Sequence, residues 1–180
     1  DAMLRYIAET KNASIVDGKM SFLQGNPKLS KIGNVLAGRL SGIVAHHTPH
    51  YLMKNRLPSY TANCIEDWES KVDAIVEETL PENMSLISGI PPWVQMYFEK
   101  LQNKTGKLVK DIFPNFSLFI YGGVNFEPYR KTFEKLIGKN VAEVELYAAS
   151  EGLIAYQDSQ KEKGMLLCVN HGIFYEFIPS

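Results

Sequence analysis

The stretch LFIYGGVNFEPYRKTFEKLIGKNVAEVELYAASEG, residues 118–152, decides the fold of this chain. Its segments 118–121 and 141–146 are short and apolar, which predicts two buried strands. Residues 127–137 lie between them and carry the apolar stripe of an amphipathic helix, which Gly138 ends. A strand, a helix and a second strand in this order predict two parallel neighbours in one sheet.

The same alternation extends upstream. Residues 66–80 have the periodicity of an amphipathic helix, and residues 84–88 form a short apolar strand. Pro91-Pro92 then begins another helix, because proline is tolerated where the first-turn N–H is unpaired anyway. We therefore predict an α/β fold with a mostly parallel sheet flanked by helices. Its mutually parallel strands are 84–88, 118–121 and 141–146.

The two ends of the chain differ from this central part. Segments 165–169 and 173–178 are joined by a short turn, which predicts an antiparallel C-terminal hairpin. Near the other end, a helix at 1–11 and a strand at 19–24 precede a long irregular excursion, 28–60, with one short helix. The chain thus divides into a helical and irregular part, a parallel α/β core and a β-hairpin: 1–80, 81–152 and 153–180.

Composition limits the classes of function. The 180 residues are 45% hydrophobic and 22% charged, with a net charge of −1, as in an ordinary globular domain. This charge gives no reason to expect nucleic acid or a membrane surface as a partner. No apolar run approaches the ~20 residues of a membrane span, and no leader opens the chain. We expect a cytoplasmic protein with Cys64 and Cys168 reduced.

Glycines stand where the predicted parallel strands end. In an open parallel sheet, ligands bind beyond the carboxyl ends of the strands. Gly89, Gly122 and Tyr147 each follow one such strand, so we expect them on one edge. Gly122 and Gly123 would let a ligand approach the backbone closely, although a simple turn would favour the same pair.

The segment Tyr147-Ala148-Ala149-Ser150-Glu151 combines a ring, small residues, a hydroxyl and a carboxylate. Such a set suits a nucleotide: the ring for the base, the hydroxyl for a phosphate and the carboxylate for magnesium, which prefers oxygen ligands. Each residue also has a structural explanation. Tyr147 would plug the sheet edge, Ser150 would cap a turn and Glu151 would be a solvated loop carboxylate.

The excursion contains two further polar groups. His46-His47-Thr48-Pro49-His50 has three histidines, but no nearby cysteine or acid completes a zinc set and Pro49 interrupts any helix that would align them. We therefore expect no metal site there. Four basic residues are candidates either for anion contacts or for ordinary surface charges: Lys28, Lys31, Lys54 and Arg56.

Taken together, these motifs resemble one family. The Y-x-x-S-E pattern at 147–151 and the glycine pair at 122–123 are followed by Tyr175-Glu176-Phe177, an aromatic-Glu-Phe segment. Upstream lies Ser88-Gly89-Ile90-Pro91-Pro92-Trp93. In order and spacing they resemble the acyl-acid amido synthetases related to the plant auxin-responsive proteins, within the adenylate-forming superfamily of acyl-CoA synthetases and luciferases.

This resemblance implies a ligase that uses ATP and magnesium to activate a carboxylic acid as an acyl-adenylate. The enzyme would then transfer the acyl group to an amine or amino acid. Catalysis is assigned to Ser150 and Glu151, with Glu151 also holding magnesium. The nucleotide is assigned to Tyr147, Ala148, Ala149, Gly122 and Gly123. The wall of the acyl pocket is assigned to Ile90, Trp93, Tyr121 and Val124.

Three features of the family are not found in this sequence. They are the Ser/Thr/Gly-rich phosphate loop of the type S-S-G-T-[ST]-x-G, the later Y-R-x-G-D motif and the small C-terminal domain. We therefore expect a middle piece of a larger enzyme, with the remainder of the parent chain as its partner and little activity alone. The alternative is a non-catalytic α/β ligand-binding or protein-interaction module, which would also lack the phosphate loop.

Overall fold

The computed structural model describes residues 2–48 and 53–178. The strands within these ranges, in chain order, are β1 (Lys19–Leu23), β2 (Ser30–Ile32), β3 (Val35–Ala37), β4 (Arg56–Leu57), β5 (Met84–Gly89), β6 (Leu118–Gly122), β7 (Ala142–Ala149), β8 (Gly152–Tyr156) and β9 (Leu166–Leu167). Seven of these strands form one sheet in the order β4-β1-β5-β6-β7-β8-β9, and β2 and β3 form a separate antiparallel ribbon.

The first five strands in this order are mutually parallel. Strand β8 is antiparallel to β7, and β9 is antiparallel to β8. This arrangement confirms the predicted α/β class, with a mostly parallel sheet and an antiparallel C-terminal part. Because β1 and β4 belong to the same sheet, the parallel core also extends into the first eighty residues.

Helices flank the sheet as predicted. Within the described ranges they are α1 (Ala2–Thr10), α2 (Leu40–His46), α3 (Tyr60–Asn63), α4 (Trp68–Thr79), α5 (Pro91–Thr105), α6 (Val109–Ile112) and α7 (Glu127–Ile137). Local chemistry sets their ends. The side chain of Asp67 accepts from the Ser70 N–H at 2.8 Å and caps α4. Left-handed Gly106 and Gly138 end α5 and α7.

The two faces of the sheet carry separate apolar clusters. Helices α4, α5 and α7 pack on one face, where the rings of Phe98, Phe119, Phe126 and Phe133 lie 5.0–5.5 Å apart, centroid to centroid. On the other face, Tyr6 of α1 joins a cluster that includes residues of β1, β5, β6 and β7. These clusters fix the end of β6 and the start of α5, which are the elements expected to form the site.

The antiparallel part differs in detail from the prediction. Residues 173–178 form no strand, and of 165–169 only Leu166–Leu167 is a strand, paired with β8. The tight hairpin instead joins β7 and β8 through Ser150 and Glu151. An alternating pattern of apolar and polar residues forms a strand only where another strand pairs with it. The apolar side chains of this segment are not buried by such pairing, and Phe174 is 90% exposed. Side-chain contacts hold the segment instead, since the Tyr175 hydroxyl donates to the Cys168 carbonyl oxygen at 3.4 Å.

The excursion is also more regular than predicted. It contains the β2–β3 ribbon, helix α2 and strand β4, which pairs with β1. The connection after β1 leads to β4 on one side, whereas the connection after β5 leads to β6 on the opposite side. A crevice opens where neighbouring strands of a parallel sheet send their connections in opposite directions. In this sheet, that point lies between the carboxyl ends of β1 and β5.

Candidate functional site

A cavity of about 420 Å³ lies at this switch point. The ends of four parallel strands contribute to its wall: Leu23 of β1 with Gln24 directly after it, Ser88 and Gly89 of β5, Ile120–Gly122 of β6, and Leu146 and Ala148 of β7. The remaining wall comes from the segments that follow β1, β5 and β6: Gly25, Arg39, Ser41, Ile90, Trp93 and Gly123. The structure therefore brings six of the predicted site residues into one cavity: Ile90, Trp93, Tyr121, Gly122, Gly123 and Ala148.

The apolar wall of the cavity is rigidly packed. Trp93 packs against Trp68 with the ring centroids 4.5 Å apart and the ring planes tilted by 38°, and the ring centroid of Tyr121 lies 4.7 Å from that of Phe126. Tyr121 is only 7% exposed, and its burial raises the pKa of the phenol to about 12, with Glu145 and Glu143 adding to the effect. The phenol is therefore neutral at neutral pH.

The two glycines after β6 have different physical roles. A Cβ on Gly122 would lie 2.2 Å from the Leu146 carbonyl oxygen, so the close approach of β7 excludes any side chain there. Gly123 has φ +84°, and a Cβ there would meet only Ile90, at 3.7 Å. Gly122 thus serves strand packing, and Gly123 provides the turn and the open backbone beside the cavity.

The Tyr147–Glu151 segment lies beside the cavity rather than on its wall, apart from Ala148. Strand β7 continues through Ala149 instead of ending at Leu146. Tyr147 is 52% exposed, and Ser150 and Glu151 occupy the exposed turn of the hairpin. Their side chains form no hydrogen bond within the described residues. Val124 does not line the cavity either and is 41% exposed.

Several wall residues were missed by sequence reasoning. Gln24 and Gly25 end the predicted strand 19–24, and Arg39 and Ser41 come from the excursion treated as irregular. With its amide nitrogen facing Ser41, Gln24 donates to the Ser41 carbonyl oxygen at 3.3 Å and accepts from the Arg56 guanidinium. For Gln24 and Gly25 a signal was available, since strand 19–24 is followed by Gly25 just as strands 84–88 and 118–121 are followed by Gly89 and Gly122.

A larger cavity, about 480 Å³, lies on the side of α7 and the start of β7. Three of its four charged residues already have protein partners, and Glu134 is the exception within the described residues. Arg130 donates to both carboxylate oxygens of Glu143, at 2.7 and 2.9 Å, and Lys139 donates to the Pro114 carbonyl oxygen at 2.7 Å. A ligand there would find few free polar groups, so the cavity at the switch point is the better candidate site.

The histidine segment falls partly outside the described residues, which do not include Pro49 and His50. The ring Nε2 of His46 lies 3.2 Å from the Pro27 carbonyl oxygen. The described residues contain no group of three or more His, Cys, Asp or Glu side chains placed to hold a metal ion. Among the helices of the residues that the structure describes, each is too short or too polar to cross a membrane.

Comparison with known proteins identifies the family. A profile of the GH3 family N-terminal domain matches residues 30–141, which is more than half of the chain. The match ends before β7 and so does not include the Tyr147–Glu151 segment. Among curated proteins, none matches the chain. The chain belongs to the GH3 family, the family of auxin-responsive acyl-acid amido synthetases, which confirms the resemblance seen in its motifs.

Proposed function

We propose, with membership of the GH3 family as the premise, that this chain forms the acid-binding and nucleotide-binding edge of an acyl-acid amido synthetase. The enzyme would use ATP to join a carboxylic acid to an amine or amino acid. The observation that carries the proposal is the cavity at the switch point of the sheet, which combines an apolar wall with the open backbone of Gly123. Family membership alone supports the reaction class but names no substrate.

The carboxylic acid would lie against the apolar wall. Ile90, Trp93 and Tyr121 provide this wall, and Trp93 and Tyr121 are held by the aromatic rings that pack against them. A preformed apolar cavity with a few polar groups is the usual form of a small-molecule site. The phenol of Tyr121 is neutral at neutral pH and so would not repel the negative charge of the acid.

ATP would lie beside the acid, against Gly123 and the β7–β8 hairpin. Tyr147 is exposed enough to stack on a base, and Ser150 and Glu151 have no protein partners within the described residues. Free hydroxyl and carboxylate groups fit a phosphate and a magnesium ion, which takes oxygen ligands from one or two carboxylates and the phosphates. Glu151 would hold the ion, which neutralises developing phosphate charge when it is bound.

The reaction then has two displacement steps. An oxygen of the carboxylate attacks the α-phosphorus of ATP, and the bond to pyrophosphate breaks. The amine nitrogen next attacks the acyl carbon, loses a proton, and AMP leaves with the oxygen that came from the acid. The contribution of this chain is to position the acid and the nucleotide and to exclude water, effects that account for much of such catalysis.

A protein-interaction module is the second candidate function. It is favoured by the β2–β3 ribbon, which exposes three apolar side chains: Ile32 is 68%, Val35 67% and Leu36 63% exposed. An interaction module needs no ATP chemistry, so the two candidates differ in a simple measurement.

The test is release of pyrophosphate by the purified full-length protein, with ATP, magnesium and a panel of aliphatic and aromatic acids. We expect release that depends on at least one acid, and conjugate formation once amines are added. No release with any acid would favour the interaction module, and release that does not depend on an acid would contradict activation of a carboxylic acid.

A further inference from the structure

The net charge of −1, which gives no reason to expect a membrane partner, conceals an uneven distribution of charge along the chain. Residues 18–65 contain six lysines and arginines but no aspartate or glutamate. Because the whole chain has 19 basic and 20 acidic residues, the remainder carries a net charge of −7. A basic segment in an otherwise acidic chain indicates an anionic partner for that segment.

The β2–β3 ribbon lies within this basic segment. Its strands pair Lys31 with Leu36 and Ile32 with Val35 around a two-residue turn, in which Gly33 has φ +59°. Directly opposite residues of an antiparallel pair share a face, and successive residues of a strand point to opposite faces. Leu36 therefore lies on one face of the ribbon, and the Ile32–Val35 pair lies on the other.

Both faces of the ribbon are exposed near its tip. At its base, a Cβ on Gly38 would lie 2.5 Å from the side chain of Leu29, whereas a Cβ on Gly33 at the tip would have no neighbour within 4 Å. An isolated two-stranded ribbon is only marginally stable in water. Nothing within the described residues covers most of the surface of three apolar side chains: Ile32 is 68%, Val35 67% and Leu36 63% exposed.

Two free cations accompany the apolar tip. Lys28 and Lys31 are exposed, and their ammonium groups form no hydrogen bond or ion pair within the described ranges 2–48 and 53–178. Arg56, another basic residue of the excursion, differs because it is partly buried and donates to the Thr48 hydroxyl at 2.6 Å. The two lysines are thus free to contact an anionic surface next to the tip.

The chemistry of the ribbon favours a lipid surface as that partner. A protein surface would cover one face of the ribbon, whereas a fluid lipid phase surrounds both. Protein interfaces are also enriched in aromatic residues and depleted of lysine, and single-stranded nucleic acid stacks on aromatic rings. Residues 28–36 contain lysines and aliphatic side chains but no aromatic ring. Lysines beside aliphatic side chains are typical of segments that bind the surface of an anionic bilayer.

We propose that the β2–β3 ribbon binds the surface of an anionic phospholipid bilayer. The aliphatic side chains of the tip would enter the boundary between headgroups and acyl chains, and Lys28 and Lys31 would contact the headgroups. Insertion would be shallow, because the unpaired backbone groups at the edges of the ribbon need water or headgroups as partners. The inference does not rest on the proposed function. The ribbon lies in the connection between Gly25 and Arg39, so binding would hold the cavity at the switch point near the lipid.

Sedimentation with vesicles tests the inference on the full-length protein. We expect binding to vesicles of phosphatidylcholine with phosphatidylserine, but not to phosphatidylcholine alone, and this binding should weaken as salt is added. Leu36→Ser should lower the affinity on the order of tenfold, because it removes an aliphatic side chain from the lipid boundary. Lys31→Gln should lower the affinity about fivefold, the effect of one lysine at an anionic surface.

Matched controls carry the same changes elsewhere on the surface. Leu4→Ser replaces a leucine of α1 that is also 63% exposed, and Lys107→Gln replaces an exposed lysine after α5. Neither should change the affinity, and circular dichroism should show the same fold in all four variants. Failure of the unsubstituted protein to bind phosphatidylserine vesicles, or equal losses in the ribbon variants and their controls, would overturn the inference.

A fluorescence measurement identifies what covers the tip. The emission added by Leu36→Trp should shift to shorter wavelength only when phosphatidylserine vesicles are present, and brominated lipid should quench it. A short-wavelength emission without vesicles would mean that another part of the full-length chain covers the ribbon. Self-association that Leu36→Ser abolishes would assign the ribbon to a second copy of the chain. Either result would contradict binding to lipid.

Discussion

The face of the sheet that is covered by α4, α5 and α7, called the helical face here, and the carboxyl edge of the sheet differ in how their charged side chains are paired. On the helical face, Arg130 binds Glu143 through two hydrogen bonds and Lys100 donates to Asp73 at 2.8 Å. At the carboxyl edge, Arg39 and Lys71 have no carboxylate partner within the described residues. These charges of the helical face are therefore paired with opposite charges, whereas the two cations at the edge are not.

This difference supports the proposal that ligands bind at the carboxyl edge. A charge without a partner of opposite sign, especially a buried one such as Lys71, destabilises a fold. Its presence is therefore better explained by a role in binding than by a contribution to stability. Surface ion pairs such as Lys100–Asp73 contribute only about 0–1 kcal/mol, so their loss is easily tolerated. Substitutions at the edge should accordingly change activity, and substitutions on the helical face should leave activity intact.

The largest effect is expected at the hairpin turn. In the full-length protein, Glu151→Ala should lower the rate of acid-dependent pyrophosphate release on the order of 100-fold, because a magnesium-linked carboxylate acts mainly where charge develops. Its effect on acid binding should be small. Glu77→Ala, which removes a carboxylate paired with Lys104 on the helical face, is the matched control.

Tyr147→Ala should show the contrasting pattern in the same assay. Stacking on a base acts in the ground state and the transition state alike, so the KM for ATP should rise with little change in kcat. Equally small effects of Glu151→Ala and Tyr147→Ala would return both residues to a purely structural role and would weaken the contrast between the two regions.

A second test distinguishes the glycine that is needed for strand packing, Gly122, from the glycine beside the cavity, Gly123. Gly122→Ala should reduce the free energy of unfolding by about 3 kcal/mol, because its Cβ would lie 2.2 Å from a backbone oxygen that cannot move freely. Gly123→Ala should cost about 1–2 kcal/mol through its left-handed φ alone. Urea unfolding of both variants measures the difference, and a smaller loss for Gly122→Ala would contradict the assigned roles.

The acid site gives a smaller effect. Ile90→Ala removes side-chain volume from the apolar wall and so enlarges the cavity. The preference among acids should therefore shift towards bulkier ones by about tenfold. Competition between acids in the pyrophosphate assay measures the shift. Val124→Ala, which removes methyl groups outside the cavity, should leave the preference unchanged. An equal shift for both substitutions would place the acid nearer the loop after β6.

The smallest effect concerns pH. Burial lowers the pKa of Lys71 below its ordinary 10.5, so between the lowered value and 10.5 the unfolded chain binds more protons than the folded one. Stability contributed by this site therefore rises with pH in that window. Lys100 has the opposite sign, because its hydrogen bond to Asp73 raises its pKa and the stability it adds is lost at higher pH.

Urea unfolding at about pH 7 and about pH 10 measures these signs. On going to the higher pH, the unsubstituted protein should gain stability relative to Lys71→Met but not relative to Lys100→Met. The same pH response in both comparisons would mean that Lys71 is compensated in solution, and would remove the main electrostatic difference between the two regions.

The parallel core was predictable because its elements have strong local signals. The apolar segment 118–121, the amphipathic helix 127–137 and the residues that end it specify a strand–helix step without tertiary information. The site residues that follow these strands, such as Gly123 and Trp93, could be found for the same reason. The C-terminal alternation at 173–178 misled because a strand needs a partner edge, which sequence pattern does not supply.

The charged half of the site could not be predicted from pattern. Arg39 lies in the short connection between β3 and α2, inside the excursion that was predicted to be irregular, and the long-range pairing of β1 with β5 places this excursion beside the cavity. Lys71 has the spacing of a solvent-facing helical residue, yet it is buried, and the carbonyl oxygens of Gln24 and Asn63 accept hydrogen bonds from its ammonium. The burial of Lys71 thus depends on contacts between residues that are far apart in the chain. Local sequence patterns do not reveal such contacts.

The central claim is that the carboxyl edge supports acyl transfer through an acyl-adenylate. The most direct measurement gives the full-length protein a carboxylic acid labelled with heavy oxygen in its carboxylate, together with ATP, magnesium and an amino acid. We expect mass spectrometry to find one labelled oxygen in the AMP that is released, because that oxygen bridges the acyl carbon and the phosphorus. Label in inorganic phosphate, or no transfer of label at all, would contradict the account.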